Sequence, residues 1–334
     1  MKLERPYVLF LGDAPDNLAA KLANGIVQWR RDWCIGQIRL DSCQAQLDLP
    51  VLSVEEAVAQ GAKTLVIGVA NAGGLIAESW LPTLRTALES GLDLASGMHQ
   101  RLSDVPVLAA AADFHGRLMH DVRHPDRSFA VGTGDPRPGK RVLAVGTDCS
   151  VGKMYAALAI EREMRDRGWK AHFRATGQTG ILIAGDGVSV DAVVSDFVSG
   201  ATEWLTPAND TDHWDVVEGQ GSLFHPSFAG VSLGLLHGSQ PDALVMCHEP
   251  TRTHMRGLPR RTPPDIADCI QANEYMARMV NPYARVVGLA INTSALSDDP
   301  ARRYLKDLED RLGLPAVDPV RTGVAPIVDR LAEI

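Results

Sequence analysis

The stretch 141–154, Arg-Val-Leu-Ala-Val-Gly-Thr-Asp-Cys-Ser-Val-Gly-Lys-Met, most constrains what this chain can fold into. An apolar run of strand type stops at a glycine, a short turn follows, and Gly-Lys opens a helix-forming run. That order builds a cradle for an anion. Glycines admit positive φ and close approach of the backbone, the first amides of the helix point at the charge, and the lysine adds a point charge. The usual phosphate loop has four residues between its glycines and a hydroxyl after the lysine. Here five residues separate Gly146 from Gly152, and Met154 replaces the hydroxyl. The candidate phosphate-binding residues are Gly146, Thr147, Asp148, Cys149, Ser150, Val151, Gly152, Lys153 and Met154. The bound group is either a nucleoside triphosphate or the phosphates of coenzyme A. A thioether is a poor ligand for a hard cation. Binding without phosphoryl transfer therefore fits better, and Mg²⁺ is not expected to be essential, although Thr147, Asp148 and Ser150 could still reach a metal.

Strand-type runs and helical spacings alternate on both sides of this loop. Residues 7–11, 33–40, 64–69 and 92–95 read as strands. Residues 17–29, 54–60 and 79–90 read as helices, the second opened by a capping box of Ser53 and Glu56. The expectation is an α/β protein with a Rossmann-like N-terminal domain over 1–138, lacking the GxGxxG fingerprint of a nicotinamide site. Residues 120–139, rich in charge and then in glycine and proline, read as a linker or a loop lying across the domain boundary. A P-loop NTPase-like parallel αβα domain is expected over 139–334. Its strands begin at Arg141 and cover 170–175, 215–217, 243–247 and 285–291, and its helices cover 153–167, about 190–205, 265–280, 300–312 and 324–332. Five strands end in polar, glycine-rich or charged loops, and in an open parallel sheet such ends converge on one site.

Composition sets limits. Of 334 residues, 45% are hydrophobic and 22% charged, as in a soluble globular protein. A net charge of -8 and a pI near 5.7 argue against a nucleic-acid surface. The five cysteines show neither CxxC pairing nor zinc spacing, so reduced thiols and no metal site are expected. No run reaches membrane-spanning length, and the first residues lack the apolar core of a signal peptide. A cytoplasmic homo-oligomer acting on a small molecule, without membrane or nucleic-acid partners, is the expectation.

The other strand ends supply candidate chemistry. Glu218 stands where a second acidic residue faces a phosphate loop: it could bind Mg²⁺ through water, act as general base on an amine, or cap the following turn. Gln220 and Ser222 present hydrogen-bonding groups beside it. His225 ranks first as a proton carrier, ahead of His237, His248 and His254. Arg174 and Arg252 lie at strand ends, where planar guanidinium groups can hold substrate carboxylates at two points. Arg256, Arg260 and Arg261 read equally well as a solvated basic loop.

The segments GTDCSVGKM, TGQTGI, VVEGQGSLFHP, GLLHGSQPDALVMCHEPTR and GLAINTS, with GLDLASG and DVR upstream and GLPAVDPVR downstream, resemble the D-glutamate N-acetyltransferase family. The loop alone resembles, more distantly, that of dethiobiotin synthetase. The family resemblance covers nearly the whole chain. It implies acetyl transfer from acetyl-CoA to the amine of a D-amino acid, D-glutamate above all, and makes Met154 part of the family's own pattern. The rival classes are an ATP- and Mg²⁺-dependent ligase or kinase of the dethiobiotin synthetase type and a non-catalytic CoA or nucleotide sensor.

Overall fold

The computed structural model describes residues 2–334 and divides them into two compact units. The first comprises residues up to 127 together with 177–192, the second residues 128–176 and 193–334.

In the first unit the order is β1 (Tyr7–Gly12), α1 (Lys21–Arg30), β2 (Cys34–Arg39), α2 (Val54–Ala59), β3 (Thr64–Ile67), α3 (Leu81–Glu89), β4 (Asp93–Ser96), α4 (Pro106–His115) and β5 (Met119–Asp121). The sheet runs β2-β1-β3-β4-β5, all parallel. Its central strands are buried along their whole length, as a parallel sheet covered on both faces requires. The capping box at α2 forms: Ser53 accepts from the Glu56 amide, and Glu56 accepts in return from that of Ser53.

The second unit holds β6 (Lys140–Gly146), α5 (Lys153–Asp166) and β7 (Ala171–Arg174). The chain then makes α6 (Gln178–Ala184), which packs on α1 and belongs to the first unit. There follow α7 (Val198–Leu205), β8 (Trp214–Val217), α8 (Ala229–Ser239), β9 (Ala243–His248), α9 (Ile266–Arg278), β10 (Arg285–Ile291), α10 (Asp298–Leu312), β11 (Ala316–Val317) and α11 (Ala325–Leu331). Six parallel strands lie in the order β11-β10-β9-β6-β8-β7, with β6 and its loop near the middle. Leu143, Val145, Leu244, Met246, Val286 and Leu289 anchor the core beneath α8, α9 and α10. Among the described residues no helix is long and apolar enough to cross a membrane.

The Rossmann-like unit and the P-loop unit of parallel strands are as the alternation predicts. Two stretches refine the expected division. The linker or boundary loop expected over 120–139 contains the change of unit after residue 127; it starts inside β5, and its later part is held by the second unit, where Glu203 accepts from the amides of Thr133 and Gly134. Residues 177–192, read as part of the P-loop domain, pack with the first unit, because α6 carries a buried apolar face of Ile181, Leu182 and Ile183.

Candidate functional site

The loop after β6 has the backbone of an anion nest. Ser150 has φ 55° and Gly152 φ 100°, so amides on both sides of Val151 can turn toward one point. A Cβ on Gly152 would be strained at that φ, whereas Ser150 tolerates it at a cost. Lys153 is the first residue of α5 and is buried. Its stem lies between two glycines, for a Cβ on Gly146 or Gly219 would come within 3.3 and 3.0 Å of its Cδ. Its ammonium donates to the Asp148 carbonyl at 2.8 Å. Burial pulls its pKa below the usual 10.5, with Cys247, Cys149 and Asp148 opposing that shift.

Asp148 is the hub of the loop. Its carboxylate, fully buried, accepts from the Cys149 amide at 2.7 Å, from the Arg252 guanidinium at 2.7 Å and from the Arg256 amide at 2.7 Å. Burial pushes its pKa up, but these bonds outweigh it and hold the group below the usual carboxylate value. Arg252 also donates to the carbonyls of Cys149 and Ser150 and pairs with Glu249. Thr147 shares a 3.0 Å hydrogen bond with Nδ1 of His248 at the end of β9, whose pKa burial lowers to about 4. The Ser222 hydroxyl donates to the Thr147 carbonyl. Burial raises the pKa of Cys149, and lifts that of Cys247 beneath the loop to about 12, so both stay thiols at neutral pH.

Glu218 follows β8 directly and is buried. Its carboxylate accepts from the Thr176 amide at 2.9 Å, and the Thr176 hydroxyl donates back to its carbonyl at 2.6 Å. Gln220 donates to that same hydroxyl oxygen. The turn is possible only with glycine, because a Cβ on Gly219 would lie 1.6 Å from the Ala144 carbonyl oxygen.

Three side chains singled out from sequence have other employment. Arg174 donates at 2.7 Å to Asp215, a buried carboxylate that also meets His213. Arg252 is a strut of the phosphate loop rather than an open carboxylate clamp. His225 is buried with both ring nitrogens engaged: Nδ1 accepts from the Ser227 amide, which leaves Nε2 to donate to the Arg256 carbonyl. By contrast Arg256, Arg260 and Arg261 are exposed and form no ion pair among the described residues. Asp148, Cys149 and His225 bring one potential metal-ligand atom each within 4.8 Å of one another. A metal there would have to displace the arginine and backbone hydrogen bonds just described.

On the other side of the loop lies a cavity of about 470 Å³, lined by Gly152 and Tyr155, by Asn292 and Ser294 after β10, and by Pro319 and Val320 after β11. Sequence reading noted 292–294 only as a polar strand end. Asp318, which fixes the cavity's far wall, carries no local site signal, because the four hydrogen bonds of its carboxylate join residues 25 apart or lie within its own turn.

Fold and loop together define a P-loop protein built on a parallel sheet. The P-loop domain model of the DUF1611 family, a domain of unknown function, matches residues 129–328, and its Rossmann-like domain model matches 37–125. The chain belongs to the DUF1611 family. A D-glutamate N-acetyltransferase from Tritonibacter scottomollicae is 57% identical over 332 residues, covering 99% of this chain and 100% of that one. Another from a Pseudoalteromonas species is 47% identical over 331 residues, again covering 99% and 100%. The crystal structure of a DUF1611 protein from Anabaena variabilis has a TM-score of 0.85 and 32% identity, covering 99% of this chain and all of that one.

Proposed function

We propose that this chain transfers an acetyl group from acetyl-CoA to the amine of a D-amino acid, D-glutamate first. The observation that carries the reading is end-to-end identity of 57% and 47% with two D-glutamate N-acetyltransferases. A phosphate loop with methionine in place of the metal-binding hydroxyl supports it, since acetyl transfer asks for an anion cradle and no phosphoryl-transfer metal.

In this reading loop 146–154 holds donor phosphates, and Lys153 exchanges the Asp148 carbonyl for a phosphate oxygen. Arg174 and Arg252 serve as supports, so the unpaired Arg256, Arg260 and Arg261 are the better candidates for the substrate's carboxylates. Glu218, oriented by the Thr176 amide, takes the ammonium proton. The freed amine nitrogen bonds to the thioester carbon, the C–S bond breaks, and the second proton, shed by the new amide nitrogen, goes to the departing sulfur so that CoA leaves as the thiol. Amides of the 219–222 turn stabilise the oxyanion. His225 ranks below Glu218 as base because its two nitrogens are already committed.

The test mixes purified protein with acetyl-CoA and a panel of D- and L-amino acids, and follows thiol release and the N-acetyl product by mass. D-glutamate is expected to react fastest. Absence of thiol release with every amine overturns the reading, and Mg²⁺-dependent ADP release from ATP with a carboxylate substrate would move the chain to the ligase class.

A further inference from the structure

The cavity beside the loop has walls that are built rather than incidental. Asp318 accepts from the amide and hydroxyl of Thr293 and from the amides of Val320 and Arg321, so one buried carboxylate locks the end of β10 to the turn after β11. The turn presents Pro319 and Val320, the latter 64% exposed, to a cavity also lined by Val151 of the loop and Tyr155 of α5. Between these apolar walls sits Asn292. Its Oδ1 accepts from the Ser294 amide, and its Nδ2 has no partner among the described residues. A cavity with apolar lining from Val151, Tyr155, Pro319 and Val320, and with the Asn292 amide beside Ser294, Asp318 and Arg321, suits a purine. Flat rings gain from apolar and aromatic walls, and an Asn amide matches the N6 donor and N7 acceptor of adenine.

Strand order adds direction. The cavity lies over β10 and β11, on one side of β6 and its loop; Glu218 follows β8, on the other. A ligand with its base in the cavity and its phosphates on the loop points its remaining length toward Glu218.

We infer that this cavity is the adenosine subsite of the acyl donor, with Asn292 reading the adenine edge, the 5′-diphosphate on loop 146–154, and the pantetheine arm running across to the β8 side. The inference rests on the acetyl-CoA reading above for the identity of the donor.

The experiment measures binding of CoA and of adenosine 3′,5′-diphosphate by calorimetry to the full chain and to two variants. Asn292→Ala removes the reader. Val320→Glu places an anion at an exposed rim position where misfolding is not at stake. Both are expected to weaken both ligands at least tenfold. In turnover, both variants should raise KM for acetyl-CoA with kcat held, and leave KM for acetyl-4′-phosphopantetheine, which lacks the adenosine, as in the parent. Unchanged affinity in both folded variants overturns the inference, as does a parent chain that binds neither ligand. Intact CoA binding that the variants abolish, with no acetyl transfer by the parent, would sink the proposed function and leave the subsite standing.

Discussion

The Arg252 guanidinium lies 2.7 Å from the Asp148 carboxylate while also donating to the carbonyls of Cys149 and Ser150, so one side chain fixes three successive residues of the phosphate loop. The loop is thus shaped before any ligand arrives, by a charge delivered from the end of β9. Arg252→Met would leave a fully buried carboxylate with only its two backbone amides. Breaking a buried pair from one side costs about 3–5 kcal/mol. The expected result is a fall in urea-unfolding stability of that order together with a rise in donor KM of tenfold or more. Arg252→Lys should recover little, since an ammonium cannot reach carboxylate and carbonyls at once. Adding Asp148→Asn to Arg252→Met should return part of the lost stability, and strict additivity of the two losses would contradict the pairing.

His248 makes stability pH-dependent in the weakly acidic range. In the fold its pKa is lowered from the ordinary 6.5 to about 4 by burial, so it stays neutral while the unfolded chain takes up a proton. Its contribution is complete above about pH 6.5 and is lost as pH falls from there toward 4. Between pH 7 and pH 5 the loss is about 1–2 kcal/mol after allowance for solvent screening. His248→Gln can keep the bond to Thr147 without the titration, so its urea midpoint should change less between those pH values. An identical pH response in variant and parent would rule His248 out as the cause.

Two glycines give a clean contrast. Gly219→Ala forces a Cβ to 1.6 Å from the Ala144 carbonyl, between β6 and the Glu218 turn, so several kcal/mol of destabilisation and loss of turnover are expected. Gly230→Ala, in α8 with nothing within 4 Å, should be neutral or stabilise by about 0.5 kcal/mol through helix propensity. Thermal unfolding of the pair tests both.

Most strands and the loop were legible because local signals agree. In 140–146 an apolar run, a glycine stop and a following Gly-Lys all point to the same strand, turn and helix. What sequence hid depends on tertiary context. Helix α8 reads Ala-Gly-Val-Ser-Leu-Gly-Leu-Leu-His-Gly-Ser, apolar and glycine-rich all round, with no polar face to give a period. Its glycines serve close packing: a Cβ on Gly238 would come 2.3 Å from the Ser199 carbonyl oxygen of α7. Helix α6 lay concealed inside a strand-end motif rich in glycine. At the site, residue types at strand ends were readable, but their partners were not. Nothing local reveals that Arg174 meets Asp215 or that Arg252 meets Asp148, because those pairs are 41 and 104 residues apart.

Lys153 and Glu218 should separate donor binding from chemistry. Lys153 projects from the first turn of α5 into the loop, whereas Glu218 is held by Thr176 on the β8 side. Lys153→Ala should therefore raise donor KM by tenfold or more with a smaller effect on kcat, and Glu218→Gln should lower kcat by 10²–10⁴, the span of general-base catalysis, with donor KM held. Lys153 adds a pH signature of its own. Because burial lowers its pKa below 10.5, its charge is lost as pH rises through a value where an exposed lysine is still an ammonium. Donor KM should climb on that alkaline limb, and in Lys153→Arg, whose guanidinium does not titrate there, the climb should vanish even if affinity is lower throughout. Parallel losses of kcat in Lys153→Ala and Glu218→Gln, with KM unmoved in both, would mean that the loop does not hold the donor.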